Sequence, residues 1–500
     1  MKKRIALFVM LLVALALLAG CAGEIQERAL VDLTDAPIDA GVPAPEQDAW
    51  ADTSAYATLY YLNESGERLV PVSREIDVPG GMSLPQAALA ALLEGPAEGE
   101  DGAYWPELGN VRAEAWAEFC GEVATVNLPA RARALTPQML YAVRLAIAGT
   151  LTEIPGVNYV NVLVGGREEG LDLGATLPVG TLSRVQDLNA GAQYRRLAEQ
   201  GQMEGVARLA TLFFPTDDGA HVLCAVRNVS YASVSAIDCL YMLLSELGKS
   251  ADQPLAALSL PAPMDYIEEM PEIVRTQEGA YRAIDLRFGA ELDEALAQAG
   301  LTRGVYLAML ADTLLGFVPG VDGLLVSVGS EQVTALSAEQ TPNTEAMAFE
   351  QGLITRAAFR DYTGSPVTLY APGVQSGKLM SVQSALNQEK QNSPRERLLG
   401  LMALDGEGAL PAGLGDADIL AVEVQGNRVL LNLSAAFARA LAAMTPDEER
   451  VAVYAMVNTL TEDGNLRSVT FFFDGEQVSE LAGGLEMRGS FLRNPGMVVR

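Results

Sequence analysis

Thr58-Leu59-Tyr60-Tyr61 opens a pattern that this chain writes three times. Thr211-Leu212-Phe213-Phe214 and Thr368-Leu369-Tyr370 repeat it, 153 and 157 residues further on. Each opening reads as a strand, and the same order of elements follows each one. A period of that length is far beyond a short solenoid repeat, so the copies read as tandem domains. A self-contained unit written three times suggests an assembly or binding scaffold before it suggests a single active site.

The best-matched segment lies inside each unit. Its copies are Gly121-Glu122-Val123-Ala124-Thr125-Val126-Asn127-Leu128, Gly279-Ala280-Tyr281-Arg282-Ala283-Ile284-Asp285-Leu286 and Gly426-Asn427-Arg428-Val429-Leu430-Leu431-Asn432-Leu433. A Gly stands seven residues before a Leu in every copy, as suits a hairpin turn into a strand. Ala124, Val126 and Leu128 alternate with Thr125 and Asn127, the period of a half-buried strand. An apolar helix is expected before this strand, over Leu84 to Leu93 with Ser83 as N-cap. Its counterparts are Ile237 to Leu247, and Pro394 to Leu404 capped by Ser393. A second helix is expected after it, from Thr136-Pro137 and Thr445-Pro446. There Leu140, Val143, Ile147 and Leu151 form a stripe that faces a sheet. The order β-β-α-β-β-α-β gives an α+β class: small, mainly antiparallel sheets, each with two helices on one face. The units are expected at 56–190, 205–340 and 365–490. The polar stretches 191–204 and 341–362 between them read as short linker helices.

The chain begins with a basic Met1-Lys2-Lys3-Arg4, then an apolar run too short for a comfortable membrane span. It ends at Leu18-Ala19-Gly20-Cys21, which resembles a bacterial lipobox. Residues 1–20 are therefore expected to be a lipoprotein signal peptide, and Cys21 the lipidated residue. Two acyl chains at about 0.8 kcal/mol per buried CH₂ would anchor the protein stably to membrane lipid. Residues 21–55 are acidic and Pro/Ala-rich, and are expected to be a disordered tether. The formal charge is −30. Removing the first 20 residues, with three bases and no acid, makes it −33. That excludes nucleic acid as a partner, since such binding needs a basic footprint. Cys120, Cys224 and Cys239 remain after Cys21. They read as buried thiols, with a Cys224–Cys239 bridge as the alternative.

These residues resemble the GerMN domain, the repeated module of the GerM spore-germination and sporulation lipoproteins. The resemblance rests on Thr58-Leu59-Tyr60-Tyr61, on Ala91-Leu92-Leu93-Glu94-Gly95-Pro96, on the Gly121–Leu128 strand and on Thr150-Leu151-Thr152-Glu153-Ile154-Pro155-Gly156-Val157. Unit three adds Asn458-Thr459-Leu460-Thr461-Glu462. Unit two is the most divergent, lacking the Leu-Glu-Gly-Pro helix end and the Thr-Pro cap. The resemblance implies a fold similar to ring-building motifs of channel proteins. It also implies an extracytoplasmic role in sporulation, germination or envelope assembly, with envelope or channel proteins as partners and self-association open. It supplies no catalytic residue.

No other chemistry stands out. The single histidine, His221, excludes a two-histidine metal site within one chain. No nucleophile elbow or phosphate loop is present, so no catalytic residue, cofactor or metal site is expected. Glu168-Glu169 and Glu268-Glu269 read as solvated surface, and a carboxylate hydrolase has no positive motif. Asn127, Asp285 and Asn432 mark one polar position shared by all units, read as a hydrogen bond that ends the strand. The expected function is therefore that of a non-enzymatic envelope scaffold. The alternative is a binder of cell-wall glycan or a small solute, through Tyr104, Trp105 and Trp116.

Overall fold

The computed structural model describes residues 42–499, apart from 109–115, 172–176, 201–205, 251–255, 374–376, 405–409, 463–464 and positions 232, 234, 258, 277, 278, 280, 343 and 389. Residues 1–20, expected to be a signal peptide, and Cys21 lie outside the described residues. A two-residue strand, β1 (Ala49–Trp50), precedes three sets of elements. The first set is β2 (Thr53–Leu62), β3 (Leu69–Val78), α1 (Leu84–Glu94), β4 (Trp116–Cys120), β5 (Val123–Leu128), α2 (Pro137–Thr152), β6 (Tyr159–Val164) and β7 (Leu182–Ser183). A linker helix, α3 (Ala190–Gln200), follows. The second set is β8 (Val206–Pro215), β9 (Val222–Tyr231), α4 (Ala236–Leu247), β10 (Ile267–Arg275), β11 (Arg282–Phe288), α5 (Glu291–Gln298), α6 (Arg303–Leu315), β12 (Gly323–Val328) and β13 (Glu331–Gln332). The third is β14 (Gly364–Pro372), β15 (Leu379–Asn387), α7 (Pro394–Met402), β16 (Ile419–Gln425), β17 (Arg428–Leu433), α8 (Ala435–Ala442), α9 (Pro446–Leu460), β18 (Ser468–Phe473) and β19 (Phe491–Leu492).

The class is α+β, and the three sets share one topology. The first two strands of each set form their own antiparallel ladder. The other four form a second sheet in sequence order. Its middle pairs, β5–β6, β11–β12 and β17–β18, are parallel, and its flanking pairs antiparallel. A parallel pair needs a crossover, and α2, α6 and α9 supply it.

Local chemistry sets the helix starts. Ser83, Thr136, Ser393 and Thr445 each accept a hydrogen bond from the backbone N–H three residues on, with Pro at the first turn. Thr302 caps α6 in the second set by the same bond, without the Pro. The short helices α5 and α8 are additions to the expected order. A 3-10 turn, Ala130–Ala134, stands in their place in the first set.

One continuous apolar core runs through the first and second sets, and a separate one fills the third. Two expectations need correction. The tether expected over 21–55 is ordered at its end, because β1 pairs with β16 and β2 begins at Thr53. The stretch 341–362 is no linker helix. It holds two 3-10 turns, Glu350–Gly352 and Arg356–Tyr362, and buries Phe349, Phe359 and Tyr362. The burial of those three rings outweighs the polar composition around them.

Candidate functional site

One buried bond recurs in every set and holds its two layers together. The backbone N–H of Tyr60 donates to Thr150 Oγ1 at 2.9 Å. Phe213 donates to Thr313 Oγ1 at 2.8 Å and Tyr370 to Thr459 Oγ1 at 3.1 Å. Each threonine is fully buried on the crossover helix, and each amide lies on the opening strand of the hairpin. The residue before each threonine differs with its task. Gly149 makes room for the Tyr60 ring, whose Cγ would lie 2.9 Å from an added Cβ. Asn458 exchanges two hydrogen bonds with the backbone of Asn494. Asp312 pairs with Arg356.

The shared polar position also has a common role in two sets. Asn127 Oδ1 accepts from the N–H of Gly166 at 2.6 Å, and Asn432 Oδ1 from Gly475 at 3.0 Å. Each side chain thereby ties its strand to the turn after the neighbouring parallel strand. Asp285 instead accepts from Arg287, at 3.0 and 3.2 Å. Both line an open cavity of about 520 Å³ on the second sheet, with Ser327 and Gln332.

The outer edges of the three sheets are treated differently. The third edge takes a strand from the start of the described chain. Ala49 and Trp50 lie parallel to Glu423 and Val424, and Ala51 N–H donates to Val424 O at 2.9 Å. Asp48 fixes the register. Its carboxylate accepts from Arg395 Nε at 2.7 Å, from Arg395 Nη2 at 2.9 Å and from Val422 N–H at 2.8 Å. The bidentate guanidinium draws the Asp48 carboxyl below its ordinary pKa, more than its partial burial raises it. Asn432 Nδ2 donates to Pro45 O at 3.1 Å. Gly80 allows the close approach, since a Cβ there would lie 2.1 Å from the Trp50 carbonyl. The first edge, β4, is covered by the third set. Phe119 N–H donates to Gln388 Oε1 at 3.2 Å, and Gly121 N–H to Ser365 Oγ at 3.3 Å. Among the described residues no strand pairs with the outer edge of β10. That strand exposes Glu268, Glu269 and Glu272, and Met270 is 66% exposed.

Buried ion pairs lie where the sets meet. Arg356 Nη2 lies 2.7 Å from Glu118 of β4, and its Nε 3.2 Å from Asp312 of α6. All three are almost wholly buried. Burial opposes the Arg356 charge, but Glu118 and Asp312 outweigh it and hold the guanidinium protonated. Burial pushes Asp312 up to about 7, against the pull of Arg356. Arg144 Nη2 lies 3.3 Å from Glu168, which also accepts from the N–H of Gly170 and Val179. Glu168 is thus buried rather than solvated, a correction to the surface reading of Glu168-Glu169. Its backbone joins the second set through Leu315 and Gly320.

The remaining residues singled out from sequence do not converge. His221 is half-buried against Gly364, and burial lowers its pKa. Trp105 packs edge-on to Tyr61, with ring centroids 6.4 Å apart. Tyr104 bridges Leu62 by backbone hydrogen bonds. Trp116 lies under the guanidinium groups of Arg356 and Arg360 instead. Cys120, Cys224 and Cys239 are buried thiols. Among the described residues no group of His, Cys, Asp and Glu is arranged to hold a metal ion. None of their helices is long and apolar enough to cross a membrane.

Residues 58–170 and 362–479 match the sequence model of the family described as Germane: Sporulation and spore germination. The two matches fall on the first and third sets. Among solved structures, the chain is similar to the tandem GerMN domains of the sporulation protein GerM from Bacillus subtilis. Identity there is 15%, over 61% of this chain and 99% of that one, with a TM-score of 0.21. It is also similar to a candidate lipoprotein from Clostridium perfringens, at 15% identity over 27% of this chain and 93% of that one, with a TM-score of 0.19. No curated protein sequence matches the chain.

Proposed function

We propose that this chain, whose residues 58–170 and 362–479 match the Germane family model, is a non-enzymatic assembly module of the cell envelope in sporulation or spore germination. In this reading Cys21 carries lipid and holds the three sets outside the cytoplasm. The observation that carries the reading is the use of sheet edges. The outer edge of the third sheet takes up an extended segment by main-chain pairing, with Asp48 as its anchor. The first edge packs against the third set. No strand among the described residues pairs with the outer edge of the second sheet, β10, which carries the exposed acidic side chains of Glu268, Glu269 and Glu272. Strand addition to such an edge draws affinity from the main chain and specificity from alternate side chains. The acidic rim fits a basic extended segment of an envelope protein.

Fractionation and crosslinking of sporulating cells test this. The protein is expected in the membrane fraction and crosslinked to at least one other protein. Cys21→Ala is expected to release it from the membrane. Recovery of monomer alone, with no protein neighbour, would count against assembly. Membrane retention of the Cys21→Ala chain would count against the lipid anchor. The glycan alternative has less support, because Tyr104, Trp105 and Trp116 form no common platform.

A further inference from the structure

The three sets meet at one seam, and two cysteines sit in it. Cys120 is the last residue of β4 and Cys224 lies in β9. The N–H of Cys224 donates to Cys120 Sγ at 2.9 Å, and the Cys224 thiol donates to the Cys120 carbonyl at 2.9 Å. Each sulfur thus lies against the backbone of the other residue. The third set closes over them: Ser365 Oγ accepts from Gly121 N–H at 3.3 Å, and Pro366 packs on Gly121. A cavity of about 210 Å³, lined by Cys120, Glu122, Cys224 and Pro366, reaches this contact. Gly121 and Glu122 at its rim are exposed, so a small oxidant has a way in.

We propose that Cys120 and Cys224 are a disulfide-forming pair, a modification site that welds the first set to the second when a small-molecule disulfide supplies the oxidising equivalents. One cysteine thiolate attacks the disulfide reagent and expels one thiolate of it. The second cysteine then attacks the mixed disulfide at the protein sulfur and expels the other. Two protein thiols become one S–S bond, the reagent is reduced to two thiols, and the two protons pass to the departing thiolates. The two hydrogen bonds already hold the residues side by side, the proximity that a disulfide requires. Burial and the adjacent Cys120 hold the Cys224 thiol protonated, so the reaction is slow at neutral pH and quickens as pH rises. Cys239 is buried in α4. The bond would close a loop of about a hundred residues, and loops of that length constrain the unfolded chain strongly in the loop-entropy account.

Oxidised glutathione is the probe. The folded full-length protein is incubated with it, quenched in acid, denatured, alkylated and digested without reduction. A peptide linked through Cys120 and Cys224 is expected, lighter by two hydrogens than its two thiol peptides, with Cys239 alkylated. Cys239→Ser is expected to form the same linked peptide, and Cys120→Ser none. Hydrogen exchange across β4 and β9 is expected to slow on oxidation. Full alkylation of both cysteines, glutathione carried singly on either, or a Cys224–Cys239 peptide would overturn the assignment. The wild-type measurement decides even if a serine variant fails to fold.

Discussion

Replacing Thr150, Thr313 and Thr459 by valine, one at a time, probes the bond that all three sets share. Valine keeps the volume and the β-branch of threonine but offers no acceptor. Each change would leave one backbone N–H, that of Tyr60, Phe213 or Tyr370, buried with no partner. Leaving a buried donor unsatisfied costs about 1–3 kcal/mol. The threonines are 0% exposed, so water cannot substitute. The loss falls on the contact between hairpin and crossover helix, so it should appear as local opening. Opening free energy lowered by about 1–3 kcal/mol corresponds to exchange roughly 5- to 150-fold faster in the affected hairpin. Hydrogen-exchange mass spectrometry of β2, β8 and β14 peptides reads this directly. Threonine to serine retains the acceptor and should stay close to wild type. Wild-type exchange in all three valine variants would refute the reasoning. An effect confined to one set would refute the equivalence of the sets.

Gly149→Ala places a methyl 2.9 Å from the Tyr60 ring, and should lower stability by about 1–3 kcal/mol in urea denaturation. Asp312 holds its proton more tightly folded than unfolded, with a pKa raised to about 7 from 3.8. Its contribution to stability is therefore full below about pH 4 and lost as pH rises through about 7. Asp312→Asn should flatten that part of the stability–pH curve, and an unchanged slope would show that another group titrates there. Asp48 behaves oppositely, because its pKa is lowered. Its contribution is present above its unfolded pKa and lost as pH falls through the folded one. Asp48→Ala removes a half-exposed ion pair, about 0.2–1 kcal/mol, and the Val422 bond, about 1 kcal/mol. Limited proteolysis between residues 42 and 52 should then be roughly 5- to 30-fold faster.

The repeat, the order of its main elements and the caps at Ser83, Thr136, Ser393 and Thr445 were legible because they are local signals. Strand order was not legible, since pairing joins residues far apart in sequence. Thr313 escaped notice because the Thr-Pro cap that frames Thr150 and Thr459 is missing from the second set. The signal was nonetheless present, as Thr-Leu recurs in Thr150-Leu151, Thr313-Leu314 and Thr459-Leu460. The docking of β1 was hidden by the Pro/Ala-rich composition around it. Trp50, a bulky aromatic in a segment otherwise fit for a tether, was the clue. The Arg356 node and the Arg144–Glu168 pair lie beyond sequence reading altogether. Their partners come from distant elements, and a charge is marked as buried only by what surrounds it.

A photo-reactive residue in place of Met270, on the outer edge of β10, tests the assembly claim most directly when irradiated in membranes of sporulating cells. The account predicts a discrete crosslink to an envelope protein or to another copy of the chain. It predicts none from the same residue placed at Tyr56, which is 77% exposed on the first hairpin. No crosslink from Met270, or equal crosslinking from both positions, would contradict it.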